Sequence, residues 1–473
     1  MAHANDAARL RVISADGHWG GPPRLYRDYI DPQYRTELDA LTAEDDAWRE
    51  SSLTQRRFAP ETLELIDGDR RIRDGGEWGA WQLGPRLAEL DREGVAGEIL
   101  LPGHQETVLP FFSHVNRMHA PELRTAGARA YHRQLADVMS EADGRLFGIA
   151  EPGPCLDMDE TVGELKWVAE HGFVGVFAPG NIADAALPPL HDRYYEPFWA
   201  TCHEAGLAIN VHAGYGFPQG GFHERLPMMA AMVQQMGTDE ALAQSTLSTG
   251  DISSLRIDQF PADHPFRMAL TEPRRLLWQL MLGGVFDRYP DLRLVFTEIR
   301  ADWAPDTIEF LDRHLATAGA RLAKTPAEYF DANVYIAPSS TRRHEVALRH
   351  RIGVDRLMFG TDYPHPEGTW PNTKEWIRDA FADVPEDELR KILGDNAVAC
   401  YRLPEAPLTA VADRIGPSSA ELFDRPAIDP KVLAQFHARS GYGRPAEQLD
   451  HETLQSMVDA DLAEFNASAC GLP

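Results

Sequence analysis

Short apolar runs punctuate the chain, each broken off by Gly, Pro or a polar residue. They are Arg11 to Ala15 (RVISA), Val95 to Pro102 (VAGEILLP), Arg145 to Ala150 (RLFGIA) and Phe173 to Ala178 (FVGVFA). Leu207 to Val211 (LAINV), Leu292 to Thr297 (LRLVFT), Asn333 to Ala337 (NVYIA) and Arg356 to Gly360 (RLMFG) complete the eight. The runs are continuous rather than alternating, which predicts parallel strands buried on both faces. Amphipathic, helix-like segments lie between them, at 122–142, 159–172, 194–206, 274–290 and 386–401. Strand followed by helix, repeated in this way, predicts an α/β fold, a (β/α)8 TIM barrel. A doubly wound open sheet is the alternative, and a count of eight favours closure.

Three stretches exceed a minimal barrel. Residues 19–90 carry the charged stretch TAEDDAWRESS, and residues 214–272 carry Gly and Pro at 214–221 and the Met-rich LPMMAAMVQQM. Both read as lid insertions over the C-terminal face. Residues 404–473 begin Pro-rich and continue helix-like. The expected organisation is therefore a barrel over 1–403, with insertions at 19–90 and 214–272. A C-terminal helical extension over 404–473 would pack on the barrel or a partner subunit.

Barrel enzymes keep their chemistry where strands end, so the first polar residues after each run carry the interest. In VISADGHWGG, Asp16 and His18 are two apart and would share one face of a strand. Strand two is followed by His104 and Glu106, strand three by Glu151, strand four by Asn181, and strand five by His212. Strand six is followed by Glu298 and Asp302, strand seven by Ser339 and Ser340, and strand eight by Asp362 and His365. A lone histidine at a strand end is more often a satisfied polar residue than a ligand. Imidazoles and carboxylates recurring on strands one, five, six and eight, all converging on one mouth, suit Zn²⁺, Fe²⁺ or Mn²⁺. Without a cation, so many carboxylates at close range are costly.

Composition narrows the partners. Of 473 residues, 43% are hydrophobic and 25% charged, as in a soluble globular protein. Lys and Arg number 46 against 73 Asp and Glu, a formal charge of −27. That argues against nucleic acid or an anionic membrane as partner, since both need clustered cations. The four cysteines form no CxxC pair, and the N-terminus has no apolar h-region, so a cytoplasmic location is expected. No GxSxG, GxxxxGK[ST] or GxGxxG is present, and the His-Glu pairs at 203, 223, 344 and 451 never continue to HExxH.

The segments ADGH, INVHAG, DRYPDLRLVFTE and RLMFGTDYPHPEGTWPN make the chain resemble the amidohydrolase-related TIM-barrel family, over roughly residues 10–403. That group includes aromatic-acid decarboxylases and C–C or ester-type hydrolases. The resemblance implies that Asp16, His18, His212 and Asp362 hold a divalent metal, with Glu298 and His365 as further ligands. Asp362, Glu298 and His104 become the expected catalytic groups, and Trp19, Tyr215, Arg300 and Trp303 the expected substrate contacts. Many members carry His at the end of strand six, where this chain has Glu298. Strand four offers no bridging lysine, since Phe177-Ala178-Pro179 stands there. The implied function is a metal-dependent hydrolase or non-oxidative decarboxylase of a small aromatic or cyclic substrate, with one or two Zn, Mn or Fe ions, acting as a homodimer. The extra carboxylate at strand six keeps a second reading open, a non-haem dinuclear iron monooxygenase acting on a bulky apolar substrate. The third is an inactive barrel used as scaffold.

Overall fold

The computed structural model describes residues 9–51, 60–103, 108–113, 118–216, 271–440 and 451–470. Seven parallel strands follow one another in chain order: β1 (Val12–Trp19), β2 (Val95–Pro102), β3 (Leu146–Ala150), β4 (Gly175–Phe177), β5 (Ala208–His212), β6 (Leu294–Thr297) and β7 (Val334–Ala337). The eighth apolar run makes no extended ladder. It bridges its two neighbours at single points, Leu357 with Ile336, Gly360 with Ser339, and Tyr363 with Gly17. Backbone hydrogen bonds complete the seam on both sides, from Ile336 N to Arg356 O on one and from Ala15 N to Phe359 O on the other. The sheet is thereby closed into a barrel.

Strand periodicity sorts the side chains into two layers. Ile13, Ala15, Ile99, Leu101, Phe147, Ile149, Phe177, Ala208, Val295, Tyr335, Ala337 and Met358 form one cluster inside the barrel. Their neighbours Val12, Leu100, Ile209, Val211, Phe296 and Ile336 belong to the layer between strands and helices. The interior cluster continues into Ala397, Cys400, Tyr401, Leu403 and Leu408 at its N-terminal end. There the Tyr401 hydroxyl donates to Asn210 Oδ1 at 2.7 Å. These residues close the floor of the barrel.

Helices surround the strands, including Pro121–Glu141, Met158–Glu170, Glu196–Ala205 and Ala304–Thr317. The predicted helix over 274–290 is broken at Gly283-Gly284 into Arg275–Leu282 and Val285–Arg288, because Gly284 adopts φ 62. The predicted helix over 386–401 is likewise interrupted, by a π-turn at Lys391–Asp395. There a side chain on Gly394 would collide with Arg11 O. Near the C-terminus, helix Glu405–Ile415 sends Leu408 against β2. Helix His451–Cys470 lies against Arg275–Leu282. Among the described residues, no helix is long and apolar enough to cross a membrane. Of the second expected insertion, residues 217–270 lie outside the described residues.

Candidate metal centre

β1 is not regular. Ser14 pairs with Glu98 and Gly17 with Leu100, so three steps on β1 match two on β2. This extra residue is a bulge, and it re-aims the side chains beyond it. Ile13 and Ala15 face the barrel interior, and by simple alternation Asp16 and His18 would face away. The bulge brings all four inward. Gly17 lies between the two polar residues because a side chain there would collide with Glu98 Oε1. Glu98 in turn is fully buried and holds Arg86 through Oε2 at 2.8 Å. Arg86 Nη1 then donates to His18 O and to Gly79 O, each at 2.8 Å. An internal ion pair thus pins the backbone of the strand tip.

The closing segment brings in the rest. Gly360 is glycine because a Cβ would lie 2.7 Å from Asp16 Cβ. Asp362 N donates to Asp16 O at 2.8 Å, and the chain then folds over itself, from His365 N to Asp362 O at 2.8 Å and from Thr369 N to Thr361 O at 2.8 Å. His365 is thereby returned above Asp362, with 3.0 Å between Nδ1 and Oδ1. Its ring stacks on His18 with centroids 3.9 Å apart. Glu298, Arg300, Ser340 and Asp362 all adopt left-handed φ, at 57, 49, 49 and 58. Such values are costly for residues other than glycine and cluster where function fixes them.

The outcome is a convergence of carboxylates and imidazoles. His18 Nε2 stands 3.1 Å from Asp362 Oδ1 and 3.6 Å from Asp16 Oδ1. His212 Nε2 lies 2.8 Å from Glu298 Oε2 and 4.0 Å from Asp16 Oδ1. Asp16 and Asp362 are 0% exposed. Three donor groups have ligand atoms all within 4.8 Å of one another: Asp16, His18 and His212; His18, Asp362 and His365; Glu298, Asp362 and Glu367. The other oxygen of Asp16 accepts a hydrogen bond from the Ser339 hydroxyl, and the Nδ1 of His212 is 3.0 Å from the Ala213 carbonyl. Asp16 Oδ1 itself, buried and facing the cluster, has no hydrogen-bond partner among the described residues. An orphaned carboxylate oxygen among imidazole nitrogens fits a hard or borderline divalent cation.

Electrostatics agree with that fit. Complete burial, reinforced by Glu298 and Glu98 and opposed by His212 and Ser339, holds the Asp16 carboxyl well above the usual carboxylate range. Burial works against a charged His212. The Glu298 carboxylate outweighs it and, with Asp16, lifts the imidazole to about 9. Protons on these two groups balance charge that a cation could balance instead, so both groups would shed protons if one were bound.

Asp16, His18, His212, Glu298, Asp362 and His365 are brought close together at the strand ends. Glu367 joins them unanticipated. It sits in the PHPEG stretch beyond the expected strand end, and only the fold-back of the loop carries it there. His104 and Glu106 lie outside the described residues. Asp302 does not join the cluster, being held by His344 at 3.0 Å and set 3.8 Å from Arg300. Arg300 is buried.

Trp19, Trp303 and Tyr215, expected as substrate contacts, are engaged within the fold itself. Trp19 falls on the outward face of β1, and its indole donates to Gln134 Oε1 of helix Pro121–Glu141 at 2.9 Å. Trp303 is buried in the same outer layer, donating to Ile299 O at 2.8 Å and edge-on to Phe296. The Tyr215 hydroxyl is spent on Pro179 O at 2.6 Å. Trp19 and Trp303 thus lie in the layer between strands and helices. Glu151 and Asn181 bond each other at 2.9 Å and form a polar pair of their own.

Known proteins bear on this geometry. The barrel resembles that of an amidohydrolase from Mycobacterium avium subsp. paratuberculosis K-10, with TM-score 0.54, 19% identity, and coverage of 83% of this chain and 99% of that one. It resembles 5-carboxyvanillate decarboxylase from Novosphingobium aromaticivorans, complexed with manganese and 4-hydroxy-3-methoxy-5-nitrobenzoic acid, with TM-score 0.54, 19% identity, and coverage of 84% and 97%. A third likeness is to dihydroxybenzoic acid decarboxylase from Polaromonas sp. JS666, with bound manganese and the inhibitor 2-nitroresorcinol, at TM-score 0.51, 19% identity, and coverage of 84% and 98%. At such identities these likenesses speak for the fold. No curated protein matches by sequence. The sequence pattern of the amidohydrolase family, however, matches residues 113–403, more than half of the chain. With the site's strands β5 and β6 and its closing segment all inside that span, the chain belongs to the amidohydrolase family.

Proposed function

We propose that this chain is a metal-dependent non-oxidative decarboxylase or hydrolase of a small aromatic or cyclic acid. Asp16, His18, His212 and Asp362 would hold a divalent cation, with His365 beside them. The observation that carries the reading is the buried Asp16 Oδ1, without a hydrogen-bond partner among the described residues and within 4.0 Å of two imidazole nitrogens. When bound, such a cation polarises a carbonyl or carboxylate, or lowers the pKa of a water. The chain's own groups would do the rest. Asp362 and Glu298 would carry the proton to or from the reacting carbon or oxygen, and Ser339 would hold Asp16 in place. The decarboxylases that share this barrel contain manganese and aromatic ligands, which supports the substrate class. The test is carbon dioxide release from hydroxybenzoates by Mn²⁺-loaded protein. Release that disappears in Asp362→Asn supports the reading, and no turnover of any aromatic acid or ester opposes it.

One observation favours a second reading. Glu298, Asp362 and Glu367 form a carboxylate group adjoining the two histidine-containing groups. Four neighbouring carboxylates, of which Asp16 and Asp362 are fully buried, balance two divalent ions better than one. That would suit a dinuclear iron oxygenase, and oxygen consumption by iron-loaded protein separates it from the first.

A further inference from the structure

Thr297 carries a buried hydroxyl that the fold does not use. It is the last residue of β6 and is 0% exposed, and its Oγ1 has no hydrogen-bond partner among the described residues. The strand register fixes where it points. Thr297 pairs with His212 on β5 and with Ala337 on β7. Val295, two residues earlier, lies inside the barrel, as Ala337 does, whereas Phe296 lies in the outer layer. By the two-residue period of a strand without a bulge, Thr297 points inward, level with His212. The ladder holds to its end, since Glu298 N donates to Ala337 O at 3.0 Å.

Valine has the same shape as threonine, and a buried hydroxyl left unpaired costs about 1–3 kcal/mol. Such a group in a native structure calls for a reason. Towards the floor it meets none. Ala208 and Val295 are apolar, and the Asn210 side chain is engaged by the Tyr401 hydroxyl and by Ala208 O. In the opposite direction stands the donor cluster. Its His212 ring is on the neighbouring strand, and its Asp16 Oδ1, 4.0 Å from His212 Nε2, likewise has no hydrogen-bond partner among the described residues. The Ser339 hydroxyl, beyond the end of β7, is already committed to the other oxygen of Asp16. A buried water is held by two to four polar groups, and it bridges groups too far apart to meet directly. We propose that Thr297 is a positioning residue whose hydroxyl holds an ordered water against Asp16 Oδ1, on the interior side of the donor cluster. This water steadies the Asp16 carboxylate beside His212, as groups one step removed from a metal orient its ligands. The effect on a cation rests on the proposed function, whereas the water itself does not.

The test compares the whole chain as wild type, Thr297→Val and Thr297→Ser, each crystallised without metal and titrated with Mn²⁺ by calorimetry. Wild type and Thr297→Ser should show a water within hydrogen-bonding distance of the hydroxyl at position 297 and of Asp16, and Thr297→Val should lack it. Thr297→Val should bind Mn²⁺ about tenfold more weakly. Its metal-free thermal midpoint should equal or exceed that of wild type, because valine fills the same space. Thr297→Ser should restore the affinity. Unchanged Mn²⁺ affinity in Thr297→Val overturns the positioning role. So does a lowered midpoint with Thr297→Ser binding no better than Thr297→Val, which would mark Thr297 as a packing residue. A wild-type crystal with no water at Thr297, or Mn²⁺ held directly by its hydroxyl, overturns the water. Wild type that takes up no Mn²⁺ removes the proposed function instead, and the metal-free crystals then decide the water by themselves.

Discussion

Gly17 separates Asp16 from His18 because the Glu98 carboxylate fills the place of a side chain. Gly17→Ala should therefore disturb the Arg86–Glu98 pair and the strand tip together. The expected loss is about 1–3 kcal/mol in urea unfolding, in the range of overpacked cores, with weaker Mn²⁺ uptake. An unchanged midpoint would mean that Glu98 moves aside freely. Glu151 gives a pH prediction. Burial pushes its carboxyl from the ordinary 4.5 up to about 7, against hydrogen bonds from Asn181 and Gly153. Between those values the native chain holds a proton that the unfolded chain has lost. Stability contributed by this group therefore falls as pH rises from 4.5 to 7, and is level above. Glu151→Gln should remove that slope, gaining up to about 3 kcal/mol relative to wild type between pH 4 and 8. Parallel stability curves for the two proteins would contradict the assignment. At this scale the sequence reading works where a strand end dictates a side chain's place, as for His212, which shares the inward face with Ala208 and Asn210. It fails where a loop folds back, as for Glu367, or where a ring's face depends on a bulge, as for Trp19.

Elements were legible to the degree that burial dictates their pattern. Continuous apolar runs mark strands covered on both sides, and β2 keeps the span Val95–Pro102 read from the sequence. The run at Arg356 to Gly360 is equally apolar, yet it pairs only by isolated bridges, because it must turn at once into the loop bearing Asp362 and His365. Hydrophobicity does not report pairing, so this difference was invisible. The contacts that dock the C-terminal helix were also beyond pattern. It turns on Asp461, 0% exposed, which accepts from Trp278 Nε1 at 2.6 Å, Gln279 Nε2 at 3.0 Å, and Arg275 Nη2 and Nε at 2.6 and 3.0 Å. Asp461→Ala strands these donors, and breaking a buried pair in this way costs about 3–5 kcal/mol. Limited proteolysis should then cut His451–Cys470 from an otherwise folded barrel. Resistance equal to wild type would show that apolar contacts alone hold the helix.

Across the whole molecule, a formal charge of −27 meets a barrel whose interior opens onto buried carboxylates. Acidic proteins gain solubility this way, but a buried concentration of like charge needs a counter-ion. The central claim is that the cluster around Asp16, His18, His212 and Asp362 holds a divalent cation. The most direct measurement is elemental analysis of protein purified without added metal, beside His18→Ala and Glu298→Ala. The account predicts at least one divalent ion per chain in wild type, and none in His18→Ala. A second ion that vanishes in Glu298→Ala would favour the dinuclear reading. Wild type that carries no metal, and binds none when Mn²⁺, Zn²⁺ or Fe²⁺ is supplied, would contradict the account.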